Sequence, residues 1–173
     1  MHWSGKIKFC RFTHSSPLFL SIHKQQAFIT NRLAGYAERR NDPSEDGQSQ
    51  LSPYLHFGQL SALRVALEVE LAVAKDSTLR QDADAFLEEL IVRRELSDNY
   101  CYYNQNYDSL EGAVNWAKLT LAEHADDKRE FVYTYTQLEA AQTHDDAWNA
   151  AQKQMTQTGK MHGYMRMYWA KKV

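Results

Sequence analysis

The chain has 173 residues, 43% hydrophobic and 24% charged, and 20 Lys and Arg against 22 Asp and Glu leave a net charge of −2. That balance excludes a generally basic nucleic-acid coat but leaves room for a local basic groove. No apolar run reaches the roughly 18 residues of a membrane-spanning helix, and two cysteines, Cys10 and Cys101, without CxxC spacing exclude a disulfide framework or a cysteine zinc site.

Residues 1–23 mix aromatic and basic side chains with no helical period and read as an irregular segment, either a non-native start or the remnant of a longer upstream region. The apolar stretch at 17–22 is short, is interrupted by Ser21 and is followed by no small-residue cleavage site. Secretion is therefore not expected, and a cytoplasmic (nucleoid) or nuclear location is. The second domain unit is residues 24–173. All three prolines, Pro17, Pro43 and Pro53, come early, and the chain after Pro53 has only four glycines. Such sequence predicts helices at about 24–40, 58–75, 78–104, 109–125, 145–158 and 160–172, an all-α multi-helical bundle without strands. The first should stop near Arg40, because Asp42 before Pro43 avoids the helical basin. Thr143 and Asp146 resemble a capping box, and Thr158-Gly159 a helix stop. The run at 164–173 ends without a cap, so the chain reads as a fragment of a longer protein.

Three constellations can carry chemistry. Gln48, Ser49, Gln50, Leu51 and Ser52 bring hydroxyls and backbone amides just ahead of a helix expected to begin near Gly58, a natural phosphate site; a plain capped Ser-Pro loop is the alternative. Glu88, Glu89, Arg93, Arg94 and Glu95 share one helix, either as weak surface ion pairs or as a carboxylate and guanidinium facing a cleft. Met161, Tyr164, Met165, Tyr168 and Trp169 form a helical stripe of the kind that builds cores, while His162 and Arg166, four apart, can grip phosphate or stay solvated. Seven histidines without HxxxH or HExxH spacing predict no metal site.

Taken in order, RNDP at 40–43, SQLSPYLHFGQLS at 49–61, ELIVRRELSDNYCYYN at 89–104, THDDAWNAAQ at 143–152 and GKMHGYMRMYWAKK at 159–172 resemble the class II cyclobutane pyrimidine dimer DNA photolyases. The resemblance covers residues 25–173 and lies in the helical FAD-binding domain shared by photolyases and cryptochromes. It implies a light-driven repair enzyme in which reduced FAD gives an electron to a pyrimidine dimer flipped out of DNA. By the same resemblance Tyr36, the segment from Gln48 through Gln50, Leu51, Ser52, Leu55, Arg93 and Arg166 hold the flavin. Glu89 contacts the dimer as charge develops, and Trp148 and Trp169 pass electrons to the flavin. Arg40, Asn41, Arg94 and His162 lie on the DNA and lesion side. Where some members carry a lesion-packing tryptophan, this chain has Val92 and Arg93.

The family continues past the motifs found here. FAD is thus expected to be weak or absent in the isolated chain, with self-association through an exposed apolar face that includes Tyr164, Tyr168 and Trp169. A cryptochrome-like flavin photoreceptor and a cofactor-free helical remnant are the alternative readings.

Overall fold

The computed structural model of the chain describes residues 17–172, and among these every regular element is a helix. The first, α1 (Pro17–Asn31), opens on a proline, which the first turn of a helix accommodates. It starts inside the segment read as irregular; residues 1–16 of that segment lie outside the described residues. Its buried side chains Ser21, Gln25 and Phe28 fall at i, i+4 and i+7. Two of these three are polar, which hid the period from a hydrophobicity reading.

The helix expected at 24–40 is two. Gly35 takes φ 75°, a left-handed conformation glycine adopts without strain, and it separates α1 from the single turn α2 (Tyr36–Arg39). The Asp82 carboxylate accepts from Gly35 N at 2.7 Å and Ala37 N at 2.8 Å, tying α2 to the helix that carries Asp82. The helix expected at 58–75 is α4 (Ala62–Lys75), which starts four residues late behind its cap Ser61 Oγ; a short helix not expected, α3 (Ser52–His56), with Pro53 in its first turn, precedes it. The rod expected at 78–104 runs through a 3₁₀ turn, Ser77–Leu79, then α5 (Arg80–Leu87), a π-helical segment Glu88–Arg93, and α6 (Arg94–Tyr103).

Helix α7 (Asn115–Glu123) falls within the expected 109–125, and α8 (Tyr135–Glu139), not expected, owns a capping box of Thr134 and Gln137. Helix α9 (Asp146–Thr158) stops at Gly159 as expected, but its cap is Asp145, whose carboxylate accepts from Trp148 N at 2.9 Å. Thr143 instead donates to Asn149 Oδ1 at 2.8 Å. Helix α10 (Gly163–Lys172) closes the described chain.

Two packing units result. In the first, α5 lies against α2 and α4 around an aromatic trio. Phe28 meets Phe86 at 4.7 Å between ring centroids and Tyr36 at 5.6 Å, and Tyr36 meets Phe86 at 5.5 Å. Leu33, Leu51, Leu60, Val65 and Val69 complete this core. Burying each such apolar side chain contributes about 1.5–3 kcal/mol. The second unit is α9 against α10, with Trp148, Ala151 and Met161 buried. The segment at 48–52 and the start of α10 lie where the two meet.

Candidate functional site

A cavity of about 450 Å³ opens between the two units. Its walls come from four stretches of the sequence: Tyr36, Arg40 and Asn41; Gln48, Ser49, Gln50 and Ser52; Glu88, Glu89 and Arg93; and Lys160 with Gly163, Tyr164, Arg166 and Met167. The size suits a small-molecule or cofactor pocket.

At one end, Glu89 is held from both sides. Tyr36 Oη donates to its Oε2 at 2.9 Å, and the Arg40 guanidinium pairs with Oε1. Burial first, and the Glu89 carboxylate second, push the Tyr36 phenol above its ordinary range. The π-helical turn explains the neighbouring pair: a wider turn sets residues five apart above one another, and Arg93 Nε meets Glu88 Oε1 at 2.9 Å. Glu89 is thereby left to reach α2, so the two acids of this helix serve different partners. Arg40 Nε is buried without a hydrogen-bond partner among the described residues.

The other end is rich in donors. Gln50 holds φ 61°, a left-handed conformation that costs a non-glycine residue on the order of 1 kcal/mol and is typical of ligand-binding segments. Its side-chain oxygen accepts from Lys160 Nζ at 2.5 Å. Gly163 lies close against this segment: a Cβ there would stand 2.9 Å from Gln48 Nε2 and would push that side chain aside. Lys160 is half-buried, and burial followed by the Arg166 charge lowers its pKa. Neither Lys160 nor Arg166 has a carboxylate within ion-pair distance among the described residues. Lys160 was not among the residues singled out from sequence; its position beside the Gly159 helix stop, in GKMHG, was the available signal. The helix start expected near Gly58 is at Ala62, away from this cavity, and the helix that follows the segment at 48–52 is the five-residue α3.

No family model matches the chain. Curated relatives do. The chain is 50% identical over 169 residues to a protein of Oryza sativa subsp. japonica, covering 97% of this chain and 33% of the relative, and 51% identical over 169 residues to one of Arabidopsis thaliana, covering 97% and 34%. A third, of Potorous tridactylus, is 52% identical over 148 residues. Each is named deoxyribodipyrimidine photo-lyase. The chain belongs to the deoxyribodipyrimidine photo-lyase family. It spans about a third of the length of the relatives in rice and Arabidopsis.

Ten residues singled out by the photo-lyase resemblance line the one cavity: Tyr36, Arg40, Asn41, Gln48, Ser49, Gln50, Ser52, Glu89, Arg93 and Arg166. The others stand elsewhere. Leu51 is fully buried in the core, Leu55 packs at the core's edge, and each anchors the segment rather than lining the cavity. Arg94 is exposed on α6, 3.9 Å from Asp98. His162, 7% exposed, lines a separate cavity of about 470 Å³ with Pro43, Ser44, Glu45 and Asp46, not the one that holds Glu89. Its Nδ1 accepts from Tyr164 N at 3.3 Å, and burial, then Lys160 and Arg166, lower its pKa.

Trp148 and Trp169 form the remaining pair. Their rings stack with centroids 5.4 Å apart and planes 15° from parallel. Trp148 Nε1 donates to Trp169 O at 3.2 Å, and Trp169 Nε1 to Gln152 Oε1 at 3.0 Å. Trp169 lines a cavity with Ser52, Lys160 and Arg166, all three of which also line the main one. Among the described residues no cluster of His, Cys, Asp and Glu could hold a metal, and no helix is long and apolar enough to cross a membrane.

Proposed function

We propose that this chain carries flavin-binding and dimer-facing parts of a light-dependent DNA repair enzyme that splits cyclobutane pyrimidine dimers. The observation that carries the reading is the single cavity with two chemically different ends: two cations without carboxylate ion-pair partners among the described residues at one, and a clamped carboxylate at the other. Lys160, Arg166, the Gln48 amide and the Ser49 and Ser52 hydroxyls form a donor set that fits the diphosphate of FAD. Reduced FAD, once bound and excited by blue or near-ultraviolet light, supplies the electron that opens the cyclobutane ring.

The protein's own groups orient and stabilise. Gln50, strained and tied to Lys160, fixes the wall on which the phosphates rest. Glu89 offers an acceptor of fixed direction to the base edge of a flipped dimer, and Arg40 balances its charge. Arg93, 69% exposed in its side chain, stands at the rim, where a guanidinium meets a DNA phosphate. The nearly parallel indoles of Trp148 and Trp169, with centroids 5.4 Å apart, are close enough for electron passage toward the same cavity.

FAD titration into the chain, followed by tryptophan fluorescence and by flavin retained on gel filtration, tests the reading. Weak, saturable binding is expected, reduced about tenfold or more when Lys160→Gln and Arg166→Gln are combined, since each charged hydrogen bond contributes about 1.5–3 kcal/mol. Equal FAD binding by wild type and the double variant would refute the assignment of the donor end.

A further inference from the structure

We infer that Tyr36 is a positioning residue for Glu89: its phenol, fixed by the aromatic core, sets the direction in which the carboxylate faces the cavity. The inference rests on the repair reading only for what Glu89 then contacts; the positioning itself is a property of this chain.

Glu89 has reason to wander. Its side chain is 47% exposed, on a π-helical turn, and a glutamate has three rotatable side-chain bonds. Tyr36 has none of that freedom. It is 4% exposed, set edge-on against Phe28 and Phe86, and its backbone is held by the Asp82 carboxylate at the amides on either side, Gly35 and Ala37. A rigid donor on a floppy acceptor transfers the order of the core to the site. Arg40 is the second arm, from the same turn and onto the other oxygen. With both oxygens engaged by donors, Glu89 is held as an acceptor, and one lone pair of each oxygen remains for a ligand. The further charged groups around the cavity are Glu88 and Arg93 on the same turn and Lys160 and Arg166 across it. Glu88 is occupied by Arg93 and does not compete for Tyr36. The phenol therefore acts through Glu89.

Two measurements test this. Tyr36→Phe keeps the ring in the core and deletes only the hydroxyl, so the fold survives. In the chain as it stands, NMR side-chain relaxation at Glu89 should show one ordered rotamer in wild type and rotamer averaging in Tyr36→Phe; unchanged order at Glu89 overturns the proposal. The second measurement is a double-mutant cycle of Tyr36→Phe and Glu89→Gln on affinity for a single-stranded oligonucleotide carrying one thymine dimer. A residue that works through Glu89 gives non-additive losses: Tyr36→Phe alone weakens binding about fivefold and has no further effect in Glu89→Gln. Additive losses overturn the proposal. If Glu89→Gln leaves affinity unchanged, the repair reading of Glu89 fails, and the relaxation result alone decides the positioning role.

Discussion

The indole of Trp148 lies nearly parallel to that of Trp169, and the ring N–H of the first is bonded to the backbone carbonyl of the second. The stack joins α9 to α10 and buries Trp148 to 2% exposure. Two parallel indoles at this spacing couple their electronic transitions. We expect a far-ultraviolet exciton signal in circular dichroism that Trp169→Phe abolishes while helicity stays. Trp148→Ala should cost about 3–5 kcal/mol through the cavity it leaves, read from urea unfolding. A signal unchanged in Trp169→Phe would place its origin elsewhere.

Asp82 holds α2 in place with two hydrogen bonds to the backbone amides at the start of this single turn. Asp82→Ala removes both acceptors and should destabilise the chain by about 1–3 kcal/mol, measured as a lower urea midpoint. Asp82→Asn retains one acceptor oxygen and should lose less. Because Tyr36 and Arg40 lie on or beside this turn, Asp82→Ala should also broaden the NMR signals of Glu89.

Acid should loosen the α9–α10 unit through Asp145. The Tyr168 hydroxyl, and after it the Trp148 amide, lower this carboxyl below its ordinary 3.8. The folded state thus binds the proton less readily than the unfolded state. The stability Asp145 contributes is complete above pH 3.8 and is lost as pH falls through its lower folded value. Asp145→Asn should flatten the acid limb of stability in that window while lowering stability near neutrality. An identical acid limb in the variant would assign the loss to other carboxylates.

Apolar surface predicts association. The expected candidates were Tyr164, Tyr168 and Trp169, yet only Tyr164, at 55%, is more than half exposed. Tyr168 is bonded to Asp145, and Trp169 is stacked. More exposed apolar side chains lie between Ile91 and Tyr135 in the sequence, among them Leu96, Tyr102, Tyr103, Trp116 and Leu119, and α4 adds Leu63, Leu67 and Leu71 at four-residue spacing. Sedimentation should show concentration-dependent association, weakened by Leu96→Glu with Leu119→Glu. Concentration-independent sedimentation of the wild-type chain as a monomer would contradict this.

Sequence by itself determined the helical class, the stop at Gly159, the extent of the rod from 78 to 104, and the family, because helix-forming composition, a Thr-Gly stop and long ordered motifs are local properties. It also named ten of the cavity's residues through the resemblance. Tertiary structure decided the rest. Ser21 and Gln25 face inward, so no hydrophobic period marked the start of α1. Asp82 reaches 45 and 47 residues back to build α2, a contact no local pattern encodes. The widened turn at Glu88–Arg93 assigned Arg93 to Glu88 and released Glu89 to Arg40 and Tyr36, whereas helical spacing alone allowed several pairings. Lys160 came to line the cavity only when the chain around α10 folded against the segment at 48–52, a long-range contact that no local pattern encodes.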